Sequence, residues 1–459
     1  MKKTIVFPLI LFSIFNCHLS FADSLQVYFN HNKDHHYQDP YYKRNRIGDN
    51  LENVLLDAIN NAKKSISIAV YELDLPNVAR ALAQKKLGGI VIKIVLENTN
   101  SKLWRPLNAD ELNKLDEHAL GKYKEFFAFT DSNHDGIVSE HEITHTDSLH
   151  VLKDNNIAWI DDTSDGSQGS GLMHHKFMIV DGSLLITGSA NFTRSCIHGD
   201  FLNPNSKGNA NSMLRIENKE IIDLFQNEFD ELWINHHFGL KKQYRGPHTF
   251  QINDSTITVQ FSPTSKKYGW PASTNGLIVK QFDSAKSSSD LALFVFSEQK
   301  IVDAIQAAHE QGMENRTLID PNFATRYYSE LLDILGIQMR NSKCSYEEGN
   351  NSWIHPALQS GFALLDKGDV LHHKFAVIDH HKTITGSHNW SASANLQNDE
   401  ALLIIDDIKI ANEYSKEFEN LIQYSVLGIP AWLTRKISDL NQKCNRQDTS
   451  HVSNILSDR

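Results

Sequence analysis

Short apolar runs, each bounded by turn-forming residues, recur along the chain in two sets. The first set occupies residues 27–30, 65–71, 91–96, 177–180 and 184–187; the second occupies 259–262, 290–296, 317–319, 375–378 and 383–385. Runs of this length read as strands, and stretches of helical spacing separate the second and third members of each set. Strand–helix–strand order predicts parallel pairing through crossover helices. The pattern therefore predicts two α/β domains, 23–240 and 241–445, each a mixed, mostly parallel sheet flanked by helices. Polar and turn-forming residues at 239–254 mark the junction, and 446–459 reads as a C-terminal tail.

The first 22 residues read as a leader and not as part of the fold. Lys2 and Lys3 precede apolar residues 5–15, and Ser20-Phe21-Ala22 offers a small-x-small cleavage site. The apolar run falls short of the roughly 20 residues that span a bilayer. The expectation is an exported protein, secreted or periplasmic. With 40% hydrophobic and 22% charged residues in 459, the composition is that of an ordinary globular protein, which excludes a mainly disordered chain. The net charge of −11 counts against a general nucleic-acid binder, and loss of Lys2 and Lys3 would make the chain more acidic still. Cys196, Cys344 and Cys444 would remain; export allows one pair and one free thiol, and the sequence leaves the pairing open.

Chemistry enters with the repeat itself. Residues 172–191 recur as 370–389, and both read H-x-K-x4-D-x6-G-S-x-N, starting at His174 and at His372. Side chains alternate along a strand, so His174 and Lys176 share a face, while His175 and His373 point the other way and read as packed. Gly-Ser-x-Asn follows at the end of the next strand. An imidazole, an ammonium, a hydroxyl and an amide gathered together suit an anionic oxygen and a nucleophilic ring nitrogen.

These two motifs resemble the phospholipase D superfamily of phosphodiesterases at every defining position. The resemblance implies two α/β halves related by pseudo-twofold symmetry, with one active site between them. It implies catalytic roles for His174, Lys176, Asn191, His372, Lys374 and Asn389. His174 would attack phosphorus and His372 would protonate the leaving group, although the residues alone allow the reverse. Two lysines can neutralise the phosphate, so no metal is needed at that site. Supporting roles fall to Ser189 and Ser387, which orient neighbours or touch phosphate, and to Asp181 and Asp379, which read as turn and salt-bridge residues. Glu400 reads as orienting the imidazole of its own half. Asn211 stands at the matching position of the first half, which leaves the partner of His174 open.

A second motif lies inside the first half. Residues 131–142 fit D-x-[DN]-x-[DN]-G-x5-E, the pattern of an EF-hand calcium loop. Asp131, Asn133, Asp135, the Ile137 carbonyl, Ser139 and Glu142 would be the calcium ligands. Leu112, Leu115, Ala119, Tyr123, Phe126 and Phe127 recur at helical spacing before the loop, and an exiting helix is expected from 139 to about 152. The insertion thus spans 109–152. The sequence reads best as a monomeric, calcium-responsive phospholipase D. It would act on phospholipid membranes or lipid aggregates, release phosphatidic acid and a free headgroup through a phosphohistidine, and also transfer to alcohols. A secreted nuclease acting on nucleic acid is the alternative, followed by a non-catalytic calcium-dependent lipid-binding protein.

Overall fold

The computed structural model describes residues 24–169 and 171–457, with side chains up to Arg446; the expected leader lies outside the described residues. The first half is built on strands β1 (Ser24–Phe29), β2 (Ser65–Val70), β3 (Val91–Leu96), β4 (Trp159–Asp161), β5 (Lys176–Val180), β6 (Leu184–Gly188) and β7 (Ser212–Glu217). They form one sheet in the order β1-β7-β6-β5-β2-β3-β4. The second half uses β8 (His248–Ile252), β9 (Ser255–Ser262), β10 (Ser288–Leu293), β11 (Glu314–Ile319), β12 (Gly361–Ala363), β13 (Lys374–Ile378), β14 (Lys382–Gly386), β15 (Glu400–Asp406) and β16 (Ser425–Leu427). Their order, β8-β9-β15-β14-β13-β10-β11-β12-β16, repeats the first sheet between β9 and β12 and adds a strand at each edge.

The sheets are mixed, as expected, but antiparallel pairings predominate, which corrects the mostly parallel expectation. Within these two sheets, among the described residues, only β2-β3, β3-β4, β10-β11 and β11-β12 are parallel. Those are the strands joined by crossovers. The motif strand β5 returns at once through the tight turn at Asp181 into β6, as β13 does through Asp379 into β14, and so short a turn allows only antiparallel pairing.

In the first half, helices α1 (Leu51–Asn61) and α2 (Pro76–Leu87) cover the outer face of the sheet. The insertion follows as α3 (Glu117–Thr130), α4 (Glu140–Thr146) and α5 (Ser148–Asp154), and α6 (Lys219–Trp233) lies on the inner face. In the second half α7 (Thr274–Phe282) and α8 (Gln299–Glu310) are outside, and α9 (Ile408–Ile422) is inside. Helix α6 shows why: Asn218 caps its first turn, and Ile221, Ile222, Phe225, Phe229 and Leu232 recur on one buried stripe. Full burial of each such side chain contributes about 1.5–3 kcal/mol.

The inner helices lock the halves together across the pseudo-twofold. Phe225 of α6 packs edge-on against Phe261 of β9 at 5.0 Å, and Tyr414 of α9 packs against Phe29 of β1 at 4.9 Å. The junction is pinned as well, because buried Lys242 pairs with both Glu228 and Asp399. Helix α10 (Ala431–Ser457) runs through the boundary drawn at residue 446, so the expected tail continues a helix that begins earlier. A disulfide joins Cys344 to Cys444 and leaves Cys196 as a buried free thiol, which answers the open pairing. Among the described residues no helix is long and apolar enough to cross a membrane.

Candidate active site

Both motif strands begin at the seam between the halves, where backbone hydrogen bonds stitch one half to the other. His174 N–H donates to the Asp399 carbonyl at 3.0 Å, and His372 N–H donates to the Ala210 carbonyl at 3.0 Å. The two imidazoles thereby enter one cleft. Lys176 and Lys374 follow on the same faces, and each ammonium donates to the carbonyl of its motif histidine, at 2.7 and 2.6 Å. His175 and His373 point inward on the opposite faces and bond Glu228 and Glu417 at 3.0 Å, so they are packed, as the alternation predicts.

The orienting partners cross the seam, which corrects the expectation that Glu400 serves its own half. Glu400 accepts from His174 Nδ1, with both carboxylate oxygens at 2.8 Å. Asn211 Oδ1 sits 2.9 Å from His372 Nδ1. The strand-to-strand bridges cause the crossing: Met173 lies beside Asp399 and Ala210 beside Leu371, so the residue after each bridge meets the other half's imidazole. Ser189 Oγ donates to Asn211 Oδ1 at 2.9 Å, and Ser387 Oγ accepts the Ala401 N–H at 3.0 Å, so both serines hold the orienting strands.

Asp181 and Asp379 make no salt bridge among the described residues. Each instead gathers three consecutive backbone N–H groups: those of Lys63, Lys64 and Ser65 for the first, and Lys286, Ser287 and Ser288 for the second. Donors of that number stabilise the carboxylate, and the Asp379 carboxyl is held down at about 2. The motif aspartates fasten the end of β5 to the start of β2, and β13 to β10, away from the cleft.

Burial, followed by the charges of Lys176 and Lys374, holds both cleft histidines well below their ordinary pKa. Each ring is neutral and donates from Nδ1, which leaves Nε2 as a free lone pair; this tautomer follows from the hydrogen-bond partners. Burial also depresses Lys176 to about 8, despite the opposing charge of Glu400, and depresses Lys374 further with help from Lys176. Asn191 and Asn389 line the same cleft with Oδ1 atoms that have no partner among the described residues.

Sequence reasoning missed the walls of the cleft. Tyr71 packs on the His174 ring at 5.1 Å and Phe294 on the His372 ring at 5.0 Å, with Lys176 and Lys374 over the same aromatic faces. The repeat alignment pairs Tyr71 with Phe296, but backbone bonds to His175 and His373 make Phe294 its equivalent. A slip of two residues preserves strand alternation, so hydrophobic pattern cannot expose it. The other missed wall is α3 of the insertion, which contributes Glu117, Lys122, Glu125 and Phe129 to a cavity of about 810 Å³ that also contains both histidines. Six carboxylates line this cavity, at Glu72, Asp74, Glu117, Glu125, Asp147 and Asp200, and the cationic side chains among them are already engaged. Lys122 pairs with Glu72 and Arg194 with Asp74. Burial, with Asp74 nearby, raises Asp147 to about 7; burial, with Glu125 nearby, raises Asp200 to about 6.

The loop at 131–142 lies at the far end of α3. Asp131 accepts the N–H groups of Asp135 and Gly136 at 3.1 Å, and Gly136 takes the left-handed φ of 81° that the turn requires. Asn133 Nδ2 donates to Asp135 at 3.0 Å. Glu142 is held by the N–H groups of Ser132 and Ser139 and caps α4 together with Ser139. Among the described residues, no three His, Cys, Asp or Glu side chains converge as a ready metal cage. The exiting helix is shorter than expected: α4 ends at Thr146, and Asp147 breaks the backbone to cap α5.

Comparison with known proteins gives a consistent picture. The family model described as "Cardiolipin synthase, PLD-like domain" matches residues 55–233 and 278–422. Mitochondrial cardiolipin hydrolase of Mus musculus is 30% identical over 139 residues, 30% of this chain and 52% of the relative, so the match spans about half of that protein. Phospholipase D of Rickettsia conorii is 25% identical over 171 residues, covering 37% of this chain and 71% of the relative. In three dimensions, phosphatidylserine synthase of Haemophilus influenzae covers 93% of this chain and 96% of its own, with a TM-score of 0.53 and 11% identity, which makes it a likeness of fold.

Proposed function

The chain belongs to the phospholipase D-like family, and on that premise we propose that it hydrolyses the headgroup ester of glycerophospholipids, leaving phosphatidic acid. The catalytic groups are His174, Lys176, Asn191, His372, Lys374 and Asn389. Nε2 of His174 attacks phosphorus while the bond to the headgroup oxygen breaks and His372 delivers its proton to that oxygen. His372 then takes a proton from water, which attacks the phosphohistidine and releases it. The crossed partners support this division of roles. A carboxylate on Nδ1 offsets the positive charge that His174 gains as its N–P bond forms. An amide on His372 supplies no such charge and leaves a ring that parts readily with its proton. The bound diester counters both lysines, which lets His372 acquire that proton first.

One observation carries the lipid reading over the nuclease: the cleft beyond the histidines is acidic and aromatic. Among the described residues a polyanion would meet six acidic side chains there, and the cations interleaved with them, Lys122 and Arg194, are already paired. A phospholipid presents a single phosphate, and a cationic headgroup suits carboxylates interleaved with Tyr42, Phe129 and Trp104. In the same reading the protein is exported and monomeric. The disulfide supports an oxidising compartment, and one chain supplies both halves of the site. Calcium binds at Asp131, Asn133, Asp135, Ile137, Ser139 and Glu142, a hard-oxygen donor set that suits it. When bound there it would neutralise the loop carboxylates and fix the end of α3, the helix that walls the cleft.

The deciding assay offers purified protein monomeric short-chain phosphatidylcholine, cardiolipin and DNA side by side, with calcium or chelator and with added ethanol. We expect phosphatidylcholine to be cleaved, phosphatidylethanol to form, and DNA to be cut about 100-fold more slowly or not at all. Glu142→Gln should raise the calcium concentration needed for the response and leave activity at saturating calcium largely intact. A preference for DNA overturns the substrate reading, and indifference to chelator overturns the calcium reading alone.

A pH profile tests the lysines. The free enzyme needs both lysines charged, and Lys176 has a pKa of about 8 with Lys374 depressed further, so kcat/KM should fall as pH rises up to and through that value. The bound diester stabilises the ammonium, so kcat should fall only at higher pH. A kcat/KM that stays level to pH 10 removes Lys176 as a required cation.

A further inference from the structure

Strand β16 is the edge of the second sheet and turns through Gly428 into α10. Around that turn apolar side chains meet solvent: Ile354 is 82% exposed, Leu358 56%, Ile429 46% and Trp432 39%. Leu358, Ile429 and Trp432 come from separate stretches of chain but meet at this turn, and Ile354 stands four residues before Leu358. Gly428 N–H donates to the Ser360 carbonyl at 2.8 Å, and Trp432 packs against Phe362 at 5.1 Å. The disulfide from Cys344 to Cys444 ties α10 to the loop that precedes Ile354, so the surface is held in place.

Cations continue the strip toward the cleft. Arg435 and Lys436 are exposed on the first turns of α10. Lys436 Nζ donates to the Thr325 carbonyl at 2.9 Å, and the neighbouring charge of Arg326 helps to depress its pKa after burial, which places the two cations side by side. Thr325 directly follows the turn Pro321–Ala324, whose Asn322 and Phe323 line the catalytic cleft. An apolar edge with a tryptophan, a cationic band and the cleft mouth therefore lie in sequence. In a chain of net charge −11, such a band runs against the general repulsion from anionic surfaces.

We propose that this edge docks the protein on an anionic lipid bilayer. Ile354, Leu358, Ile429 and Trp432 enter the interface, while Arg326, Arg435 and Lys436 meet lipid phosphates. The inference rests on the lipid reading of the cleft, because a bilayer substrate must be met next to its mouth. Scattered aliphatic groups with an interfacial tryptophan and flanking cations suit a headgroup layer.

The test is co-sedimentation of the whole protein with vesicles of phosphatidylglycerol and phosphatidylcholine, and with vesicles of phosphatidylcholine alone, alongside hydrolysis of monomeric short-chain phosphatidylcholine. Wild type should pellet with the anionic vesicles and be released by salt. Arg435→Glu with Lys436→Glu should weaken binding at least about fivefold for each cation removed. Ile354→Ser with Ile429→Ser, both exposed positions that spare the Trp432 packing, should weaken it by about tenfold or more. Both pairs should hydrolyse the monomeric substrate at the wild-type rate. Wild type that cleaves monomeric lipid but ignores vesicles overturns the docking surface and leaves the cleft reading standing. Wild type that binds vesicles but cleaves no phospholipid supports the surface and sinks the cleft reading. A dimer in sedimentation velocity that the serine pair dissociates would mean that a second copy covers this edge, and would overturn the proposal.

Discussion

Replacing His174 with alanine is expected to lower turnover by about four orders of magnitude, and His372→Ala should do the same. The double variant should lose little more than either single one, because groups that act on one phosphate as a unit are not additive. The expectation comes from the seam. Both imidazoles enter a single cavity, and the same lysine pair depresses both. Near-normal turnover in either single variant would remove the shared-site mechanism. Rapid quenching separates the roles: His372→Ala should accumulate a phosphoenzyme from a substrate with a good leaving group, and His174→Ala should form none. The opposite pattern exchanges the two histidines.

The second large effect belongs to the crossed partners. Glu400→Gln keeps shape but removes the charge beside His174, and should lower kcat about a thousandfold. Asn211→Asp has a different consequence. A carboxylate beside His372 raises the pKa of that ring, makes it a poorer proton donor and shifts the alkaline limb of the kcat profile, which reports the required acid, to higher pH. Its cost should be nearer tenfold and should shrink for substrates whose leaving group needs no proton. Quenched-flow measurement with two leaving groups reads this difference directly. If both variants lose the same factor whatever the leaving group, the two partners are interchangeable props and the assignment of roles fails.

Much of the site was legible because its chemistry is local. A strand alternates with period two, so His174 with Lys176, and His175 on the opposite face, follow from spacing alone. The repeat likewise displays two halves and where each motif hairpin turns. What spacing along one copy cannot say is which copy a side chain will serve. Glu400 and Asn211 stand at matching positions of the repeat, and only the bridges at Met173–Asp399 and Ala210–Leu371 decide that each reaches across. The same limit hid α3 as a wall of the cleft, since its helical stripe explains the small core of Tyr123, Phe126, Val138 and Ile143 and says nothing of its other side. The expectation of mostly parallel sheets failed through weighting: the crossover segments are long and conspicuous, whereas the antiparallel returns at Asp181 and Asp379 occupy only a few residues.

The hydrogen bond between His174 and Glu400 spans 226 positions of sequence. A ribosome delivers the imidazole long before the carboxylate, and every residue in between must be synthesised while the would-be nucleophile has no partner. Until β15 folds against the first sheet, a nascent chain carries an unoriented histidine and an incomplete anion site. The molecule is therefore born inert. The order of synthesis alone keeps the phosphodiesterase site incomplete until the second half has folded.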